Sequence, residues 1–285
     1  MNADDFGLTS GVNRAIVELH QAGVLTSATL MAKAGATDEA IELARANPAL
    51  GVGCHVVLVD GEPVLPADRL PTLTDAKTRM LYPTLGSFLP RLLTGRIRAE
   101  EIEAEAGAQI ARLQGRGLRL THIDTHKHTH MFPRVLEPVL RAAKGAGISA
   151  VRNPFEPEWA VHATPRASAM RAAEVFALRR MGPFFRQLIA QHGFAATDGT
   201  IAVVGTGTLD ENTVRSLLQQ LPEGTWELVT HPGYNDEDLE KVRTRLRASR
   251  DVERKALGAI GEFAGFELIS FAGLTQAAAR ASLTV

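Results

Sequence analysis

A distorted β/α barrel of parallel strands is the fold this sequence predicts, and three observations predict it. Strand-like and helix-like segments alternate along most of the chain, and parallel strands need a crossover helix between them. Residues that carry chemistry recur where the predicted strands end: Asp4 and Asp5, His55, Asp124 with His126, Arg152 and His231. The length, 285 residues, lies within the range of an α/β barrel folding as one unit. Loops after the strands of a barrel surround a single pocket, whereas an open sheet would spread these residues apart.

Taken in order, Val12, Ala15, Ile16 and Leu19 recur at helical spacing, with Thr9 or Ser10 as cap and Gly23 as stop. Residues 25–31 have strand character, 37–46 read as a helix closed by Asn47-Pro48, and 51–58 return to strand composition. A Pro-rich loop spans 63–83, the acidic run 100–113 predicts a helix ended by Gly115 and Gly117, and a strand follows at 119–124. A helix at 134–144 and a strand at 148–151 repeat the pattern. Later strands are expected at 200–204, 226–230 and 267–271, with helices at 212–221 and 236–263. The whole of 1–285 reads as a single domain, with a less typical helical insertion at about 155–196.

Composition narrows the function. Apolar residues make up 45% and charged residues 22%, which is ordinary globular usage. A net charge of -1 gives no field for generic nucleic-acid binding. The single cysteine, Cys54, cannot form an intrachain disulfide, and its place in an apolar strand marks it as core packing. No signal-peptide pattern and no membrane-length apolar run occur, so a cytoplasmic protein is expected.

Adjacent carboxylates such as Asp4 and Asp5 repel, so burying both calls for a cation or a shared proton; taken alone, the pair is equally a capping turn. His55 by itself is a satisfied structural histidine, and His231 beside Pro232 and Gly233 is an aimed turn residue. The stretch from His122 to His130 tips the reading, because it holds four of the nine histidines. In extended conformation Asp124, His126, His128 and His130 would share one face, and imidazoles with a carboxylate form an open metal site of the hydrolytic kind.

Together these motifs make the chain resemble the YdjC-like family of carbohydrate deacetylases, also called ChbG/HpnK. The resemblance rests on NADDFG at 2–7, the strand ending in His55 with residues 56–61 after it, DTHKHTHMFP at 124–133, Val151-Arg152, and HPGY at 231–234. The loop at 58–66 is most similar to the HpnK branch, associated with hopanoid biosynthesis. Relatives carry apolar residues ahead of NADDFG, so either the start lies upstream of Met1 or the first strand is stunted. The resemblance implies a divalent metal held by Asp5, His55 and His126, with Asp4 as general base, His231 as the acid for the departing amine, and Arg152 orienting Asp4. Asp124 would steer a ligand imidazole. His128 and His130 would either support the ligands or touch substrate. Magnesium and zinc both remain open.

The expected reaction is hydrolysis of the N-acetyl group of an amino sugar or of an N-acetylglucosaminyl glycolipid. The competing readings are an amidohydrolase-type metal hydrolase and a non-enzymatic carbohydrate-binding protein. A homodimer is expected from base rates. Arg166, Arg171, Arg179, Arg180 and Arg186, interleaved with Met170, Phe176, Phe184 and other apolar residues, form a basic amphipathic segment. It is either a helix packed on the barrel or a peripheral contact with the inner membrane face.

Overall fold

In the computed structural model, which describes residues 1–165, 167–260 and 265–275, the strands form one curled parallel sheet. They are β1 (Asn2–Phe6), β2 (Ser27–Leu30), β3 (Gly51–Val56), β4 (Ile123–Thr125), β5 (Gly199–Ile201) and β6 (Trp226–Thr230), in the order β4-β3-β2-β1-β6-β5. Every residue of β1 to β5 is buried. That explains their lack of alternation, since helices cover the outer face and side chains fill the inner one. The short first strand is nonetheless paired on both sides, with β2 and with β6.

The helices are α1 (Ser10–Gln21), α2 (Thr37–Ala46), α3 (Leu85–Leu93), α4 (Ala99–Gly115), α5 (Pro133–Gly145), α6 (Glu158–Ala163), α7 (Ala169–Leu178), α8 (Gly182–His192), α9 (Glu211–Gln219), α10 (Glu237–Lys241) and α11 (Arg247–Gly258). Thr9 caps α1 by accepting from Val12 N. The loop expected at 63–83 is held by two buried acids of α4. Glu105 accepts from Val64 N and Leu65 N, and Glu101 from Thr72 N and Leu73 N. Helix α3, hidden from the periodicity by its internal Pro90, starts in a Thr84–Ser87 capping box.

Three expected elements take another form. The strand at 148–151 shrinks to bridges, Val151 to Ile123 and Ala150 to Ala195. Arg152 N donates to Ile123 O, Val151 N to Ala195 O and Thr200 N to Phe155 O. These bonds carry the pairing from β4 round to β5, which makes the barrel distorted instead of open.

The helix at 236–263 splits into α10 and α11, while residues 261–264 lie outside the described residues. The Arg247 side chain takes the carbonyls of Glu240 and Val242, and Thr244 Oγ1 accepts from Leu246 N, so the chain turns instead of propagating. The strand expected at 267–271 does not join the sheet, because β1 and β2, beside which it lies, are already paired on both sides. That segment instead crosses the N-terminal ends of the strands. Ile269 O accepts from Thr26 Oγ1, and Phe271 stacks on His122 with ring centroids 3.9 Å apart.

Phe271 therefore closes the barrel floor, away from the strand ends where the polar residues gather. Phe271→Ala is expected to cost about 3 kcal/mol of unfolding free energy, read from urea denaturation.

Candidate metal and catalytic site

Adjacent residues of a regular strand point to opposite faces, yet Asp4 and Asp5 line the same cavity. A β-bulge explains this. Ala3 pairs with Ala28 and Phe6 with Leu30, so Asp4 and Asp5 together oppose the single residue Thr29. Asp5 pivots through a left-handed backbone, φ 65°, at a cost of about 1–3 kcal/mol that the surrounding structure must offset.

Asp5, His55 and His126 meet at the C-terminal ends of β1, β3 and β4. Asp5 Oδ1 lies 3.5 Å from His55 Nε2 and 3.4 Å from His126 Nδ1, and the two imidazole nitrogens are 3.2 Å apart. Behind the group, Asp124 Oδ1 is 2.8 Å from His55 Nδ1. A proton held on Nδ1 by Asp124 turns the Nε2 lone pair towards Asp5 and His126. Asp5 Oδ1 is buried and has no hydrogen-bond partner among the described residues. Such an orphaned acceptor beside two convergent imidazoles fits a divalent cation. Asp4, His55 and Asp124 form a second cluster, but Arg152 already occupies both of its carboxylates.

Arg152, fully buried, binds three carboxylates from three strands. Nη1 and Nη2 grip Asp4 Oδ2 and Oδ1 at 2.7 and 2.6 Å, Nη1 also binds Asp124 Oδ2, and Nε and Nη2 reach Glu227 Oε1 at 2.9 and 2.7 Å. Arg250 Nη2 binds Asp5 Oδ2 at 2.5 Å. Four buried carboxylates thus face two buried guanidinium groups, which leaves the cluster short of positive charge.

Burial raises the pKa of Asp4, but the Arg152 charge outweighs it and holds the carboxyl well below the usual carboxylate range. Burial likewise opposes ionisation of Asp5, and Arg250 overcomes it. At His55 burial lowers the pKa, but Asp124 and the other carboxylates dominate and push it up to about 9. A proton on His55 supplies part of the missing charge, and a divalent cation would supply more.

His231 follows β6. Its backbone N–H donates to Glu253 Oε2 at 2.7 Å, and its Nε2 lies 3.8 Å from Asp4 Oδ2. Burial lowers the imidazole to about 4 despite the opposing pull of Asp4. Gly233 lets α11 approach, because a Cβ there would stand 3.0 Å from Val12 and 3.1 Å from Arg250. The Tyr234 ring lies between the guanidinium groups of Arg14 and Arg254, each 4.2 Å from its centroid.

The remaining histidines depart from the extended face expected of 124–130. The strand ends at Thr125, and left-handed Lys127 and His128 (φ 58° and 51°) coil the segment. His126, on the face of Asp124, joins Asp5 and His55, while His128 lines the cavity with a buried Nδ1 that has no hydrogen-bond partner among the described residues. His130 turns inward, Nδ1 2.7 Å from Thr125 Oγ1 and Nε2 3.1 Å from Arg152 O. His122 lies at the opposite end of β4, against Phe271. Sequence reasoning missed Glu227, Arg250, Glu253 and Thr29. A signal for two of them existed: Arg250 and Glu253 share a helical face with buried Leu257.

The residues surround a cavity of about 800 Å³, with Asp4, Asp5, His55, His126 and His231 inside and the exposed Arg243, Arg245 and Arg247 at its mouth. Fold and site define an α/β-barrel protein with an Asp-His-His cluster at the strand C-termini. The chain belongs to the YdjC-like family, whose pattern, described as "YdjC-like protein", it matches over residues 1–259.

A carbohydrate deacetylase of Geobacillus stearothermophilus is 35% identical over 240 residues, covering 84% of this chain and 80% of the relative. One of Thermoanaerobacter pseudethanolicus is 28% identical over 260 residues, covering 90% and 89%. With one of Brevibacillus brevis the identity is 45% over 146 residues, and this chain then spans 50% of its own length and 54% of the relative's. A crystal structure from Enterococcus faecalis, named as a candidate cellobiose-phosphate cleavage protein, shares the fold with TM-score 0.71 at 24% identity, covering 90% of this chain and 89% of that one.

Arg152→Met strands three buried carboxylates and is expected to cost about 3–5 kcal/mol at neutral pH. The deficit should shrink as pH falls and those carboxylates protonate. Urea denaturation at neutral and mildly acidic pH measures both effects.

Proposed function

We propose that the chain is a metal-dependent deacetylase that hydrolyses the N-acetyl group of an amino sugar and releases acetate. The observation that carries this reading is the Asp5, His55 and His126 group with Asp4 and His231 flanking it on one cavity. The names of the relatives, carbohydrate deacetylases, agree with it. Asp5, His55 and His126 would hold the divalent ion, which when bound polarises the acetamide carbonyl and acidifies water.

The chain's own groups then handle the proton. Arg152 keeps Asp4 ionised and fixes both its oxygens, so that Asp4 accepts a proton as water oxygen bonds to the carbonyl carbon. His231 is neutral at rest and lies 3.8 Å from Asp4 Oδ2, so it can take that proton on Nε2. It then passes the proton to the sugar nitrogen as the C–N bond breaks. In its ionised form Glu253, whose carboxyl burial pushes up to about 7, stabilises the transient imidazolium through Oε2, 4.0 Å from His231 Nδ1. The His128 ring forms part of the cavity wall on which the sugar would rest.

The finer substrate is an N-acetylglucosaminyl glycolipid of the hopanoid type. The cavity supports this reading through its size, about 800 Å³, and through the apolar Leu8, Met31, Leu85 and Val203 in its lining beyond the polar cluster.

Alanine at Asp5, His55 or His126 is expected to strip bound metal, measured by elemental analysis. Asp4→Asn should keep the metal and lose about 10²–10⁴-fold in acetate release from N-acetylated sugars. His231→Ala should lower kcat far more than it raises KM. An Asp4→Asn protein that still released acetate at near wild-type rate would remove the base from the scheme.

A further inference from the structure

We propose that the face carrying α7, the start of α8 and the cavity mouth docks on an anionic lipid bilayer. None of the 10 residues of α7 is buried. Of the seven large apolar side chains exposed among the described residues, three fall here: Met170 at 71%, Phe176 at 57% and Phe184 at 49%. Val175 and Leu178 half-bury the inner side of α7, but Met170 and Phe176 stay in water, at a cost that burial elsewhere would relieve.

Charge selects the occupant. Arg171, Arg179, Arg180 and Arg186 stand against Glu174 alone between residues 169 and 190. Arg179 pairs with Glu158, while Arg180 and Arg186 make no ion pair among the described residues. The basic surface continues round the cavity. Arg171 of α7 lines it, donating from Nη1 to Thr206 O at 2.6 Å, and Arg243, Arg245 and Arg247 line it from the connection between α10 and α11. Arg243 and Arg245 likewise have no acidic partner among the described residues.

Arginines interleaved with exposed phenylalanines suit anionic head groups over an acyl boundary. A second copy of the chain suits them poorly, because a twofold interface would set the same arginines against themselves. Docked in this way, the protein presents the cavity mouth to the lipid surface. The proposal depends on no assignment of catalytic activity.

Co-sedimentation with phosphatidylglycerol–phosphatidylcholine vesicles, compared with phosphatidylcholine alone, tests it. The wild-type chain is expected to bind the anionic vesicles, to release them as salt rises, and to ignore the zwitterionic ones. Each basic residue at an anionic surface contributes roughly fivefold in partitioning. Arg180→Glu with Arg186→Glu should therefore weaken binding at least about twentyfold, and Phe176→Ser with Phe184→Ser should weaken it with an unchanged thermal melt. Equal sedimentation of wild type and the arginine variant would overturn the proposal. So would a dimer in light scattering that the phenylalanine variant dissociates.

Discussion

The grip of Arg152 on three carboxylates is the interaction on which the rest of the site depends. Its partners come from β1, β4 and β6, strands that are not all neighbours, so the guanidinium ties the inner wall of the barrel across its width. A buried arginine would be destabilising alone, as would each carboxylate; together they are tolerated because every guanidinium nitrogen finds an acceptor. The backbone of Arg152 takes part too. Its N–H closes the sheet against Ile123, and its carbonyl faces His130.

From that grip the electrostatics of the site follow. Asp4 stays ionised because Arg152 holds both its oxygens, and Asp124 is free to turn one oxygen to Arg152 and the other to His55. Against its burial, the carboxylates around His55 push its pKa up, and Asp5 Oδ1, 3.5 Å from His55 Nε2, has no hydrogen-bond partner among the described residues. A cation held by Asp5, His55 and His126 would offset the excess of negative charge. Left-handed backbone at Asp5 turns the second aspartate onto the cavity, and left-handed Lys127 and His128 carry the chain away after His126, so that His128 and His130 leave the face that Asp124 and His126 share.

Much of this was legible in the sequence, because residues at the ends of parallel strands converge by topology alone. Asp5, His55 and His126 could be brought together on that basis, as could Asp4, Arg152 and His231. The rest depended on local geometry that composition does not report. Alternation puts His126, His128 and His130 on one face, and it fails because two left-handed residues end the strand early. Arg250 and Glu253 lie within the helix expected at 236–263, and periodicity alone does not say that its inner face reaches Asp5 and His231. The segment at 267–271 has strand composition but meets strands already paired on both sides, so Phe271 became a floor under His122.

The central claim is that the buried carboxylates demand a cation which displaces the proton from His55. Calorimetric titration of zinc into metal-free protein at neutral pH, in buffers of different ionisation enthalpy, counts the protons released. With burial outweighed by the surrounding carboxylates, which push His55 up to about 9 before binding, the account predicts about one proton released per zinc bound by the wild-type chain. Tight zinc binding with no proton release from the wild-type chain would contradict it.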